Sequence, residues 1–417
     1  WKKLCELYQF RGNIIRDEDN IEASQLYFKS AQIEEKQQGQ TQQALKAYEN
    51  AFALQPRKLE YGDILVNLYQ REENWSKVLE ILQKQLNYSK KSKQQIFLLL
   101  KIAYIYKDKL QNRTEAKKYL LKVLDIDNKQ EKAFHLLEEL YQGDSQWNEL
   151  IQLYKENIAT ISSTKEKIKL LDRAALICRK QLNDSNQAIE FYRQILELSP
   201  ANYSILEQLK NLYFGLEQWN NVLEVLGQQF KLSKEVDAKF ELLIQIAKLW
   251  DEKFDNIEKA IEYYEQALNL KENKLILTIL QDIYLYTKNW EKLAEIYEKE
   301  AKLEQDEATQ KVFYYKLGEL NKDKLNSVEN SILWYEKGFE KDSKNLEILQ
   351  ILQKLYAKIN DTENLIATYF KEIDLINNDD EKICIFNKIS RIYEEQNKFE
   401  ESARVNERML QNYPKHK

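Results

Sequence analysis

The sequence predicts an all-α solenoid of about 23 antiparallel helices, and three observations lead there. Glycine and proline together make only eleven of the 417 residues, against a usual share of roughly 12%. Sheet-rich folds and glycine-rich phosphate loops need such residues at their turns, so both are excluded. Aromatic content is high, with 26 tyrosines, 15 phenylalanines and 7 tryptophans. That is too much apolar area for a disordered polymer, even with 31% charged residues. The third observation is a single period that runs the length of the chain.

Taken along the chain, the period opens at Trp1 and returns at Trp75, Trp147, Trp219 and Trp290, separated by 74, 72, 72 and 71 residues. Thr362 fills the next slot, in the context Thr362-Glu363-Asn364-Leu365. Six residues before each later slot stands a tyrosine: Tyr69, Tyr141, Tyr213, Tyr284 and Tyr356. Four residues earlier again stand Leu65, Leu137, Leu209, Leu280 and Leu352, which completes a Leu-x-x-(Leu/Ile)-Tyr block. A second phase runs through Ala44, Ala116, Ala188, Ala260, Ser331 and Ser402. Pro56, Pro200 and Pro414, all the prolines of the chain, each lie 12 residues after a member of that series.

Within a period the apolar spacing is helical. Ala260 to Leu268 and Trp290 to Tyr297 each carry apolar residues at intervals of three and four, which makes one buried stripe. Gly143-Asp144-Ser145 and Asn183-Asp184-Ser185 supply capping side chains at breaks between stripes. Each period therefore reads as four helices of about 14 to 18 residues joined by short turns. A small residue on a second helix, such as Ala44 or Ala188, lets the first helix approach. Tyr48 or Tyr192, one turn on, fills the gap, and proline stops the second helix. No hairpin buries its stripe alone, so neighbours must stack. No domain boundary or linker interrupts residues 1–417, which read as a single array of about eleven hairpins plus a leading half.

At these residues the chain resembles the tetratricopeptide repeat (TPR) family. Ala44, Tyr48, Ala51 and Pro56 match the family's second helix, as do Ala188, Tyr192 and Pro200. Leu317-Gly318 matches the Leu-Gly pair of its first helix, and Ile389-Ser390, Tyr393, Ser402 and Pro414 resemble a whole repeat. The departures are systematic. Alternate repeats carry tryptophan at the inter-helix turn and Val78, Leu150, Val222 or Leu293 where a small residue is usual. Most of the others hold one extra residue before the second helix. The 72-residue double module is similar to those of large TPR scaffold proteins. The resemblance implies a right-handed superhelix whose concave wall comes from the first helix of each hairpin and receives peptides or partner helices.

The resemblance assigns positions on that wall. Phe28, Leu100, Tyr104, Leu176, Ile244 and Tyr315 fall there in one repeat type, and Asp63, Asn67, His135, Asn211 and Asp282 in the other. Asn67, Tyr104, Asn211 and Tyr315 are the candidate partner-binding residues, because tyrosine tolerates half-exposure and is enriched at binding hot spots. The lysines of the family's carboxylate clamp do not accompany Asn67 and Asn211, so that clamp is not expected. The in-phase tryptophans are expected to be core staples rather than ligand boxes.

Charge and chemistry narrow the function. Lys and Arg total 63 against 68 Asp and Glu, a net charge of −5, which argues against a nucleic-acid binder. The densest basic stretch, Lys90-Lys91-Ser92-Lys93, is short and falls at a helix junction. His135 and His416 are the two histidines, and neither has a nucleophile or ligand partner in the sequence. Cys5, Cys178 and Cys384 stand apart, so no disulfide framework or zinc site is expected; they are expected to face the core and fit a reducing compartment. Asn-x-Ser/Thr triplets at Asn74, Asn87, Asn112, Asn183, Asn202 and Asn360 would matter only in a secreted chain. No apolar run approaches the roughly 20 residues of a membrane span. A soluble chain is expected, cytoplasmic in preference to periplasmic.

Trp1 falls inside a repeat, so the sequence is expected to be a fragment of a longer chain. No catalytic, cofactor or metal site is expected, and the leading function is a non-catalytic protein-interaction scaffold within a larger assembly. The alternatives are an RNA-processing factor of half-a-TPR or pentatricopeptide-like repeats, and a regulatory TPR arm fused to an enzyme outside the fragment. The sequence sets neither the partner nor the oligomeric state.

Overall fold

Scarcity of glycine leaves the turns to other residues, and how those turns close sets the architecture. The computed structural model describes residues 1–38 and 41–414; His416 lies outside the described residues. Among the described residues there are twenty-three α-helices and no strand. The leading helices are α1 (Lys2–Ile15), α2 (Asn20–Gln38) and α3 (Thr41–Leu54). The first module then holds α4 (Leu59–Arg71), α5 (Trp75–Tyr88), α6 (Ser92–Tyr104, prolonged by a π-helical turn at Ile105–Lys109) and α7 (Arg113–Ile126). The second holds α8 (Glu131–Gly143), α9 (Trp147–Thr160), α10 (Thr164–Lys180) and α11 (Ser185–Leu198). The third holds α12 (Tyr203–Gly215), α13 (Trp219–Leu232), α14 (Val236–Glu252) and α15 (Ile257–Leu270). The fourth holds α16 (Lys274–Thr287), α17 (Trp290–Leu303), α18 (Glu307–Asp323) and α19 (Val328–Lys341). The fifth holds α20 (Leu346–Lys358), α21 (Thr362–Leu375), α22 (Asp379–Glu395) and α23 (Phe399–Asn412).

Two kinds of hairpin alternate, and their turns differ by one residue. In the short kind the N-cap N–H of the second helix donates to the tyrosine carbonyl of the repeated block, five residues back. Asn74 bonds Tyr69, Gln146 bonds Tyr141, and Asn289 bonds Tyr284, at 2.9–3.0 Å. In the long kind the same bond spans six residues: Asn112 to Tyr106, Asp184 to Cys178, Asn256 to Trp250 and Ser327 to Asn321, at 2.8–2.9 Å. The inserted residue is apolar (Leu110, Leu182, Phe254 or Leu325), and its own N–H returns to the helix. The last hairpin, α22–α23, reverts to five, through Lys398 and Tyr393. At the corresponding point in each of these turns one non-glycine residue is left-handed: Glu73, Gln111, Ser145, Asn183, Glu217, Asp255, Lys288, Asn326, Asn360 and Asn397, with φ between 51° and 59°.

The periodic residues are the core. Ala44, Ala116, Ala188 and Ala260 are fully buried, as is Ser331, whose Oγ donates to the Gly318 carbonyl at 2.8 Å. Leu65, Leu137, Leu209, Leu280 and Leu352 are buried with the tyrosines of their block. Three of those tyrosines donate their hydroxyls to a glutamate of the preceding hairpin. Tyr69 donates to Glu49 at 2.6 Å, Tyr284 to Glu265 at 2.8 Å, and Tyr356 to Glu336.

Contacts divide the chain into two compact units, Trp1–Leu212 and Tyr213–Lys417. In the first, Phe28 stacks on Tyr61 and meets Tyr48 edge-on. In the second, buried clusters are centred on Tyr264, Leu280 and Leu317, on Leu349, Leu352 and Tyr356, and on Phe386 and Ile389.

Two expectations about buried side chains need correction. The tryptophans at 75, 147, 219 and 290 are half-buried, because each occupies the first turn of its helix, at the edge of the stack. Trp1 is 67% exposed, together with Leu7, Phe10 and Ile14, on a face of α1 that α2 does not cover. Cys5 and Cys178 are buried, but Cys384 is exposed, on a face of α22 turned away from its core.

Candidate protein-interaction surface

The first helix of a short hairpin carries its core residues on one side, which frees the other for solvent. In α8 the core side is Ala133, Phe134, Leu137 and Tyr141, and His135 and Glu138 project beside it. The end of α9 and the start of α10 come up against this side. Together they enclose a cleft of about 570 Å3. Phe134, Ile161 and Leu170 supply its apolar lining, and Asn157, Thr160, Ser162 and Ser163 its neutral polar groups. Lys129, Lys169 and Arg173 bring positive charge, against Glu131 and Glu166.

Glu138 organises the inner edge. Its Oε1 accepts from the Tyr154 hydroxyl and from Arg173 Nη1, at 2.9 Å for the latter, and its Oε2 lies 3.3 Å from His135 Nδ1. Burial raises the Tyr154 hydroxyl above its ordinary pKa, and the Glu138 carboxylate that accepts its hydrogen bond raises it further. This carboxylate is occupied by three neighbours, so it orients the cleft wall rather than standing free as an acid or base. Among the described residues no group of three or more His, Cys, Asp or Glu side chains is placed to hold a metal ion. No helix among them is long and apolar enough to cross a membrane.

The other candidate residues spread along the chain. Asn67 on α4, Tyr104 on α6 and Asn211 on α12 are exposed in the first unit, with Tyr104 55% exposed. Asp63 and Asp282 are exposed, Leu100, Leu176 and Ile244 are half-buried, and Phe28 is buried. Of the expected wall positions, His135 alone lines the cleft. Tyr315 on α18 is half-buried. Its hydroxyl donates to the Gly338 carbonyl at 3.2 Å, and its ring would lie 2.3 Å from a Cβ at position 338. Its ring therefore closes α18 onto α19. Lys129, Lys169 and Arg173 escaped the sequence argument because isolated cations on a lysine-rich helix resemble any solvated face. Their one signal was position, within a turn of the small and apolar residues that begin each first helix.

A tetratricopeptide-repeat family model matches residues 98–130, 168–202 and 251–274. All three matches fall on long hairpins. A protein described as a BBSome complex member BBS4 homolog, from Drosophila melanogaster, is 24% identical over 232 residues, which cover 55% of this chain and 45% of that protein. The chain thus matches less than half the length of that relative. Among solved structures, the Naa15/Naa10 complex bound to HypK-THB aligns over 94% of this chain and 64% of its own, at 13% identity and a TM-score of 0.34. YrrB, a TPR protein with an unusual peptide-binding site, aligns over 48% of this chain and 96% of its own, at 14% identity and a TM-score of 0.26. A tetratricopeptide repeat protein from Parabacteroides merdae ATCC 43184 aligns over 62% and 98%, at 14% and 0.26.

Proposed function

Because this chain belongs to the tetratricopeptide-repeat family, we propose that it is a non-catalytic scaffold that holds extended segments of partner proteins along the first helices of its hairpins. The observation that carries the proposal is the cleft between α8, α9 and α10, which combines an apolar lining with charges of both signs and a ring of hydroxyl and amide groups. Such a surface offers side-chain anchors and backbone hydrogen bonds at once, as recognition of an extended segment requires. Asn67, Tyr104 and Asn211 extend the same kind of surface to α4, α6 and α12. Membership of a multiprotein assembly is part of the proposal, and the likeness to a BBSome complex member supports it. We also take residues 1–417 as one repeat array, since the block that ends at Tyr141 and Tyr284 recurs in step at Tyr213, across the boundary between the two units.

The test is purification of the tagged chain with its native partners, alongside a variant carrying Asn67→Ala, Tyr104→Ala and Asn211→Ala. All three side chains are exposed, so helicity and melting should be nearly unchanged while partner recovery falls at least tenfold, the loss of about 1.4 kcal/mol of binding. Undiminished recovery would overturn the groove assignment. Tyr315 is left out because its removal would also open the contact between α18 and α19.

A further inference from the structure

In the hairpin that opens each module, the first residue of the first helix and the last residue of the second hold a repeated pair of positions. Leu59 and Tyr88 hold them in the first module, Tyr203 and Leu232 in the third, and Leu346 and Leu375 in the fifth. In the fourth they are Lys274 and Leu303, and Lys274 bridges to the adjoining Glu304 at 3.1 Å. The second module alone has no apolar residue at either position: Glu131 opens α8 and Thr160 ends α9. Both line the α8–α10 cleft, as Leu59 and Tyr88 line its counterpart between α4, α5 and α6. That counterpart has about 220 Å3, against about 570 Å3 here.

With no apolar pair above them, Phe134, Ile161 and Leu170 form an apolar floor, and the His135 ring meets Phe134 edge-on at 5.6 Å beside it. The repeat offers an apolar pair for this junction, so an open one is not a requirement of the fold. Stability given up in this way is characteristic of a binding site. The charges divide as well. Glu131 and Glu166 stand in the first turns of α8 and α10, where the N-terminal partial charge of each helix matches them. Of the three cations, only Arg173 is ion-paired among the described residues, to Glu138. Lys129 and Lys169 are exposed at the rim without a carboxylate partner.

We propose that the α8–α10 cleft selects one kind of partner segment: an extended one in which a bulky aromatic residue is flanked by acidic residues. The inference rests on the interaction-scaffold function and names the chemistry that its cleft accepts. The aromatic ring takes the place of the missing apolar pair, over Phe134, Ile161 and Leu170. The flanking carboxylates meet Lys129 and Lys169, and Asn157 and Ser162 serve the backbone of the segment. Each half of the site rejects a different competitor. A wholly acidic segment leaves the floor uncovered, and a wholly apolar one leaves two lysines unmatched.

The probe is a fluorescein-labelled nonapeptide of glycine and serine with one central phenylalanine and two glutamates on each side of it. Anisotropy compares it with two twins, one with alanine for the phenylalanine and one with lysines for the glutamates. The whole chain should bind the probe at least tenfold tighter than either twin. Glu131→Leu with Thr160→Leu restores the apolar pair of the fifth module and should erase both preferences. That variant should melt no lower than the wild type, so its loss of binding cannot be ascribed to unfolding. Lys129→Glu with Lys169→Glu, both at exposed positions, should make the lysine twin the better ligand. A preference below threefold over either twin, or one that survives the paired leucines, would overturn the proposal. Native partners lost by the paired-leucine variant, with no preference for the probe, would overturn it too while leaving the scaffold function in place.

Discussion

At the scale of single residues, the turns carry an unusual backbone load. Among the described residues, ten left-handed positions that close hairpins are held by residues other than glycine. Four are asparagine, which tolerates that conformation, but Glu217 at φ 55° and Lys288 at φ 57° are not suited to it. Glu217 is exposed, so Glu217→Gly should relieve strain at little other cost. The expected gain is about 0.5–1 kcal/mol, strain relief exceeding the extra chain entropy of glycine. Asn183→Gly should change stability by only a few tenths of a kcal/mol, since asparagine already accepts the position. Urea midpoints of the two variants check this. A lower midpoint for Glu217→Gly would mean that the glutamate side chain contributes more than its backbone costs. The left-handed positions were invisible in the sequence, because glutamate, glutamine and lysine are ordinary helix residues and only the asparagines hint at a turn.

At the scale of elements, three of the in-phase tryptophans, Trp75, Trp219 and Trp290, each begin a helix and are covered from the next hairpin in a repeated way. Lys109 lies 5.2 Å over Trp75, Lys253 lies 5.0 Å over Trp219, and Lys324 lies 5.3 Å over Trp290. Each lysine follows its tryptophan by 34 residues. Where Thr362 replaces tryptophan, Gln396 occupies the same offset and donates to its hydroxyl. Trp219 also meets Phe214 edge-on at 5.1 Å. Removal of a half-buried indole should cost about 2–3 kcal/mol for Trp219→Ala, and removal of the cation about 0.5–1 kcal/mol for Lys253→Ala. Hydrogen exchange should show the damage confined to α12–α15, since stability in a solenoid passes mainly between neighbours. Loss of protection throughout α16–α23 would contradict that. The sequence revealed these tryptophans and their period, and it revealed the extra residue of the long hairpins. Their burial was not legible, because periodicity reports which residues share an environment without reporting how deep it is.

At the scale of the whole molecule, the many buried tyrosines tie stability to alkaline pH. Burial, and then nearby carboxylates, push Tyr264 and Tyr335 up to about 12, and Tyr48, Tyr69, Tyr284 and Tyr356 are also raised by burial and by a hydrogen bond to a glutamate. In the unfolded chain these hydroxyls lose their protons near pH 10, while the folded chain retains them. Their contribution is therefore complete below pH 10 and is lost as pH rises toward 12. Helix content and tyrosinate absorbance followed in one titration should change together in that window. Full tyrosinate absorbance near pH 10 with helices intact would show these hydroxyls to be open to solvent. The alternation of five- and six-residue closures imposes a rule of parity on the gene. Loss or gain of a single hairpin would set two of the same kind side by side, each lacking the contour its neighbour was shaped to meet. Copying by pairs leaves every junction as it was. Duplications and deletions that preserve the protein should therefore come in twos, with α22–α23, where the alternation lapses, as the place where an odd hairpin is tolerated.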